Sequence, residues 1–335
     1  MPDVLPLVTL YLSERCNSRC VTCDYWRHGV KDATLESVQR MLPSLARLRT
    51  RAVLLSGGEP LLNPEWPEIA QLLKSRELTL WLLTSGLSLA KHAVRAAELF
   101  DSITVSLDGT RANTYLGIRG VDAFDKVCEG IRAVAAAGVP TSIRVTLQRG
   151  NYRELLEFVE LAHELGAAQV SFLAVDVSNP HAFARRDDTL PQLALRPSDV
   201  VELDALLDAL ERKHVAEFRS RFIAESPAKL RRIRDYFAAL CGLGEFPAVR
   251  CNAPEFSAVV DTDGRVAPCF FIPAAPLAPR APDLVASLAS EPAQALRAAI
   301  RAGERPECRK CVCSMWRDPA TIASDAFLLR AAADA

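Results

Sequence analysis

Cys16, Cys20 and Cys23 follow one another as C-x3-C-x2-C, a density of thiols that suits metal binding better than packing. Three thiolates on one tight loop can hold three irons of a cubane. Iron-sulfur clusters normally take four cysteines, so such a loop leaves one iron open. An open position on a metal is where a substrate binds. Zinc is the competing reading of the same spacing. Ser56-Gly57-Gly58-Glu59-Pro60 is a second motif, in which glycines let the backbone approach a ligand and the Glu59 carboxylate can accept hydrogen bonds from an ammonium group. A third constellation joins Cys251-x17-Cys269 to Cys308-x2-Cys311-x-Cys313. Taken alone it reads equally well as a four-cysteine zinc ribbon or as a second cluster.

These residues need elements to position them. Short β-rich runs at Leu7–Leu12, Ala52–Leu55, Thr79–Leu83, Ile103–Leu107, Ser142–Leu147 and Gln169–Ala174 alternate with helical periodicities at Leu35–Leu48, Glu65–Ser75, Leu89–Leu99, Phe124–Ala137 and Tyr152–Leu165. Parallel strands joined by right-handed crossovers curl into a full or partial barrel with its site at the strand C-termini. The expected fold class is therefore α/β, a partial (β/α)6 TIM-like barrel. The cysteine loop follows the first strand and the glycine motif the second, which puts both at the same end.

From Asp176 to Pro197 the pattern breaks, and helices are expected near Pro197–His214 and Pro227–Leu240. Phe256–Asp261 and Val266–Phe271 flank Asp263-Gly264, a hairpin signal. A Pro/Ala-rich loop over Pro273–Pro282 and a helix near Pro292–Ala302 lead to the last cysteines. The expected division is a barrel over 1–180, a helical connection over 181–248, a small C-terminal iron-sulfur domain with the hairpin and helices over 249–320, and a tail over 321–335.

Composition narrows the classes. A net charge of -1 offers no basic field for a phosphate backbone, so no nucleic-acid partner is expected. No apolar run reaches the roughly 20 residues of a membrane span, and the N-terminus does not read as a secretory signal. Ten cysteines then point to metal or redox chemistry in a reducing, cytoplasmic setting. Cys128 lies on a helical pattern and reads as core; Cys241 reads as a helix cap or a pocket-facing thiol. No histidine pair has ligand spacing.

Cys16, Cys20 and Cys23 together with Gly57, Gly58, Glu59 and Pro60 resemble the cluster loop and the GGE motif of the radical S-adenosylmethionine (SAM) superfamily. The resemblance covers about residues 7–175. It implies that the three cysteines hold a 4Fe-4S cluster whose open iron chelates SAM, and that the glycine loop contacts the methionyl part. Thr84, Ser85, Ser106 and Asp108 are similar to the family's ribose-contacting strand ends. Thr22 stands where the family often has an aromatic residue, which leaves Tyr25 or Trp26 to cover the adenine. Arg144, Thr146, Phe172 and Asp176 end the fifth and sixth strands or follow them, so some should line the pocket.

In this company Cys251, Cys269, Cys308 and Cys311 resemble the shortened SPASM ("twitch") domain, which implies a second, auxiliary 4Fe-4S cluster with Cys313 spare or alternative to Cys311. The implied activity is reductive cleavage of SAM to a 5'-deoxyadenosyl radical, fed by an electron donor such as flavodoxin or ferredoxin, and hydrogen abstraction from a small-molecule substrate. The layout resembles members that dehydrogenate the cyclitol 2-deoxy-scyllo-inosamine, so an oxidoreductase acting on a sugar, cyclitol or similar metabolite is expected. An epimerase with Cys313, Cys241 or Cys128 as hydrogen donor and a peptide-modifying maturase are alternatives. The short stretch before the first strand weighs against a peptide-recognition domain. An iron-sulfur electron carrier or zinc interaction module is the alternative of another class.

Overall fold

The protein is described here from a computed structural model covering residues 3–180, 182–185, 190–272, 283–324 and 327–328. The Pro/Ala-rich loop Pro273–Pro282, part of the polar connection and most of the tail lie outside the described residues. Strands β1 (Leu7–Ser13), β2 (Ala52–Gly57), β3 (Thr79–Thr84), β4 (Ser102–Ser106), β5 (Thr141–Leu147) and β6 (Gln169–Ala174) pair in parallel and in sequence order. They are joined by α1 (Leu35–Arg47), α2 (Trp66–Lys74), α3 (Leu89–Leu99), then α4 (Ala112–Arg119) with α5 (Phe124–Ala136), and α6 (Leu155–Glu164). Period-two burial sorts β4 and β5: Ile143, Val145 and Leu147 of β5 are buried beneath helices, while Ser142, Arg144 and Thr146 face the barrel interior. Register carries that inner face around the sheet through Tyr11, Ser56 and Ser106.

The helix α4 is not among the sequence expectations. It spans only two turns and has weak periodicity, and Gly120 ends it in the left-handed region at φ 69°. Beyond the barrel, α7 (Pro197–Lys213), α8 (Val215–Ser220) and α9 (Pro227–Leu240) pack beside β6. An open β6 edge would expose unpaired backbone. Residues 222–224 cover it through a bridge at Val170 and Ile223, and Glu225 accepts from the Phe172 amide at 2.7 Å and the Ser171 hydroxyl at 2.9 Å.

The hairpin departs from expectation. After α10 (Ala253–Phe256), β7 (Ser257–Val260) pairs in parallel with β1, and β8 (Val266–Ala267) closes the hairpin, so the sheet has eight strands rather than a six-stranded barrel beside a separate hairpin. The other edge of the sheet, β1, thus also finds a partner. The rest comprises α11 (Leu284–Ala289), α12 (Glu291–Arg301), α13 (Pro306–Arg309) and α14 (Pro319–Ala323). Phe256, Ile322 and Phe327 pack with Ala52 and Trp81 into a second core at the strand N-termini, and Arg51 donates to the carbonyls of Ile322 at 3.1 Å and Ser324 at 2.8 Å. No helix among the described residues is long and apolar enough to cross a membrane.

Candidate active site

The chain leaves β1 at Ser13 and turns at once into the cysteine loop, which three neighbouring elements hold. From β2, the Gly58 amide donates to Ser13 O at 2.8 Å and the Glu59 amide to Arg15 O at 2.7 Å. From α4, the carbonyls of Arg119 and Ile118 accept from the amides of Arg19 at 2.9 Å and Val21 at 3.0 Å. From the connection, the Phe183 carbonyl accepts from the Asp24 amide at 3.0 Å. The glycines are required by contact. Gly57 lies at φ 123°, and a Cβ there would meet Ser13 O at 2.7 Å, while one on Gly58 would meet Arg15 O at 2.4 Å. Gly57→Ala should lower stability by about 1–3 kcal/mol through backbone strain, read as a lower denaturant midpoint at unchanged slope.

Glu59 differs from its sequence reading. The residue is fully buried, and its carboxylate accepts from the Thr84 hydroxyl at 2.8 Å, the Leu61 amide at 3.1 Å, the Ser85 amide at 2.7 Å and the Ser85 hydroxyl at 2.6 Å. Those four donors fill the acceptor sites of a carboxylate, so the chain itself takes the place expected for an ammonium group. Glu59 fastens the glycine turn to the end of β3. The Ser85 hydroxyl also lies 3.1 Å from Asn17 Oδ1, which brings the cysteine loop into the same network.

Cys16, Cys20 and Cys23 come together as electrostatic neighbours, and burial raises all three thiols, Cys16 to about 11 and Cys23 to about 12. Buried thiols resist ionising unless a cation replaces the proton. A donor set of three soft sulfurs in such surroundings fits an iron-sulfur cluster that supplies that positive charge. Arg119, which the sequence reading missed, stands beside Cys20 and Cys16. Its guanidinium donates to Asp108 at 3.1 Å, the two side chains being 11% and 4% exposed, and its Nε is buried without a partner among the described residues.

Asp108 is thus the ion-pair partner of Arg119. It also accepts from the Thr146 amide at 2.7 Å, so it is committed within the fold rather than presented at an open strand end. Burial pushes its carboxyl up, and Arg119 and that amide pull it back. Thr84 and Ser85 are tied to Glu59, while Ser106 ends β4 on the inner face.

Tyr25 stands edge-on to Tyr11 at 5.5 Å. Tyr11, also missed, projects inward from β1 with Cys23 and Cys269 both among its electrostatic neighbours. Of the other strand-end residues, Arg144 and Thr146 face the interior. Phe172 packs on Phe158 of α6 at 6.2 Å, and Asp176 accepts from the amides of Ser178 and Asn179 in a turn.

Cys251, Cys269, Cys308, Cys311 and Cys313 line one pocket, whose wall includes Ser257 and Val259 of β7. Burial raises Cys269 to about 12 and moves Cys311 and Cys313 upward. Cys269 and Cys311 are surrounded by other cysteines, whereas Cys313 has the cations of Arg144 and Lys229 as its first charged neighbours. Among the described residues no three His, Cys, Asp or Glu side chains converge on a point that could hold a single ion. Cys128 is buried in the core on α5. Cys241 caps α9 and donates its S–H to the Leu195 carbonyl at 3.2 Å, which removes it as a pocket-facing hydrogen donor.

Residues 10–166 match the model of the Radical SAM superfamily. The chain is 33% identical over 174 residues to the AdoMet-dependent heme synthase of Methanosarcina barkeri, a match covering 50% of each chain. It therefore spans about half the length of that relative. It is 26% identical over 268 residues to a probable GTP 3',8-cyclase of Saccharolobus solfataricus, covering 78% of this chain and 81% of the relative. In fold it is similar to Streptococcus suis SuiB bound to S-adenosylmethionine, with a TM-score of 0.67 at 14% identity over 94% of this chain and 73% of that one.

Proposed function

From the premise that residues 10–166 are a radical SAM domain, we propose that the chain oxidises a small metabolite held inside the barrel between two iron-sulfur clusters. Cys16, Cys20 and Cys23 would hold the first cluster. Cys251, Cys269, Cys308 and Cys311 would hold the second, within a C-terminal unit over about 249–320. When bound, the first cluster with SAM supplies hydrogen-atom abstraction and the second an acceptor for the electron left behind.

The observation that carries this reading is the position of Tyr11, an inward-facing side chain of β1 paired in register with Ser56, which counts a cysteine of each group, Cys23 and Cys269, among its electrostatic neighbours. A substrate beside it would lie within reach of both groups. The chain's own part is to fix one C–H bond in a closed interior. The glycine turn and Ser106 are proposed to border SAM, Glu59 with Thr84 and Ser85 to hold that border rigid, and Asp108 to hold Arg119 beside the thiols. Tyr25, on the Cys23 side, is proposed to flank the adenine.

Zinc is the weaker alternative. A four-cysteine zinc ribbon would account for the second group taken alone, but not for a three-thiol loop beside a glycine turn in a segment that matches the Radical SAM model. An epimerase would use Cys313 as hydrogen donor, since Cys241 is engaged with Leu195. Anaerobic reconstitution tests the proposal. About eight irons and eight sulfides per chain, with 5'-deoxyadenosine formed on reduction, are expected; bound zinc and no SAM cleavage would refute it.

A further inference from the structure

We propose that Arg185 and Asn179 are positioning residues that couple the two cysteine groups, so that a cluster seated in one group steadies the loop of the other. This rests on the two-cluster reading above and adds a coupling between its two sites. The connection after β6 touches both groups. Arg185 Nη2 donates to the carbonyl of Thr22, the residue before Cys23, at 3.3 Å, and the Phe183 carbonyl accepts from the amide of Asp24, the residue after it, at 3.0 Å. The same guanidinium donates to the Asp176 carbonyl, and its Nη1 to the Asn179 carbonyl at 3.0 Å. Asn179 Nδ2 in turn donates to the Phe271 carbonyl at 2.7 Å, and the Phe271 amide donates to Cys269 Sγ at 3.4 Å. One path of polar contacts therefore runs from the turn between Cys20 and Cys23 through Arg185 and Asn179 to Cys269.

The path is held tightly. Arg185 is 6% exposed and Asn179 5%. Among the described residues the acceptors of Arg185 are all backbone carbonyls, so its place is tied to the course of the chain rather than to a carboxylate. Phe183 packs edge-on against Phe271 at 5.5 Å, a second contact between the connection and the Cys269 segment. It does so at φ 54°, a left-handed conformation that a bulky residue keeps only where its surroundings over-determine it. Opening of either cysteine loop must loosen this connection, and a cluster that pins one loop removes part of that freedom from the other. Coupling of this kind is reciprocal. It also keeps the two clusters at a constant spacing while hydrogen atom and electron leave the substrate.

The test uses amide hydrogen exchange on the anaerobically reconstituted chain, read by mass spectrometry at Asp24 and at Phe271. Cys269→Ser, which lacks the second cluster, should raise exchange at Asp24 about fivefold or more over wild type, and Cys23→Ser, which lacks the first, should raise exchange at Phe271 by a similar factor, the lower end of ordinary coupling between sites. In the iron-free chain Cys269→Ser should leave Asp24 unchanged, since no cluster pins either loop. With Arg185→Met or Asn179→Leu, Asp24 should exchange at one rate whether or not Cys269→Ser is also present, the non-additivity expected of residues in one network. A purely structural loss would raise exchange in the single variant and leave the Cys269→Ser increment intact. Arg185→Lys, whose three N–H donors can meet the three carbonyls, should keep the increment, and exchange in α2 should match wild type throughout. Asp24 indifferent to Cys269→Ser, an increment of the same size in the iron-free chain, or an increment that survives in both Arg185→Met and Asn179→Leu overturns the proposal. Iron content and 5'-deoxyadenosine measured on the wild-type sample separate the two readings: about eight irons with SAM cleavage and no increment leaves the radical reading standing and removes the coupling, whereas wild type that binds no cluster removes both.

Discussion

Cys23→Ser is expected to reduce 5'-deoxyadenosine formation to the level of the iron-free chain, a loss greater than the roughly 100-fold that removal of a supporting residue costs a metal site. Iron after reconstitution should fall from about eight to about four per chain, because only the first cluster loses its ligand set. Cys269→Ser should give the complementary result, the same fall in iron with SAM cleavage retained. The pair is informative because the two cysteine groups lie on different elements, the first on the loop after β1 and the second around β7 and the Cys308–Cys313 segment. Cleavage that survives in Cys23→Ser would refute the assignment of the first cluster. Iron counts on Cys311→Ser and Cys313→Ser decide the fourth ligand of the second, with the fall expected for Cys311.

Arg119→Met is the second large effect. It leaves Asp108 buried with no counter-charge, since the remaining contact to its carboxylate is the Thr146 amide, and breaking a buried pair from one side costs about 3–5 kcal/mol. The loss should depend on pH. Burial already pushes the Asp108 carboxyl up with Arg119 present, and removing that cation pushes it further. A carboxyl with a folded pKa above its unfolded value, near 3.9, gives up stability as pH climbs from the unfolded value through the folded one. The deficit against wild type should therefore be smaller at pH 5 than at pH 8 in denaturant titrations. An equal deficit at both would show that Asp108 is solvated in the variant.

Much of this was legible along the chain, because the strands have period-two or continuously apolar runs and their crossovers have helical periodicity. β6 and α9 coincide with the expected spans, and the other five barrel strands begin or end within two residues of them. What escaped depends on distant partners. The two turns of α4 carry too little periodicity to be seen, yet that helix brings Arg119 to the thiols. Glu59 read as a ligand residue because its four donors come from its own turn and from the end of β3, and only packing places them there.

Local spacing alone determined the chemistry on offer: sulfur ligands three and four residues apart must share a loop, and a glycine pair after a strand must let backbone come close. Which groups face one another was decided by the tertiary structure. Pairing β7 with the free edge of β1 brings the wall of the second cysteine pocket onto the barrel sheet, and α4 carries Arg119 to the thiols of the first group. Those relations follow from the need to satisfy open strand edges and bury apolar faces, which act across the whole chain and leave no trace in any short stretch of it.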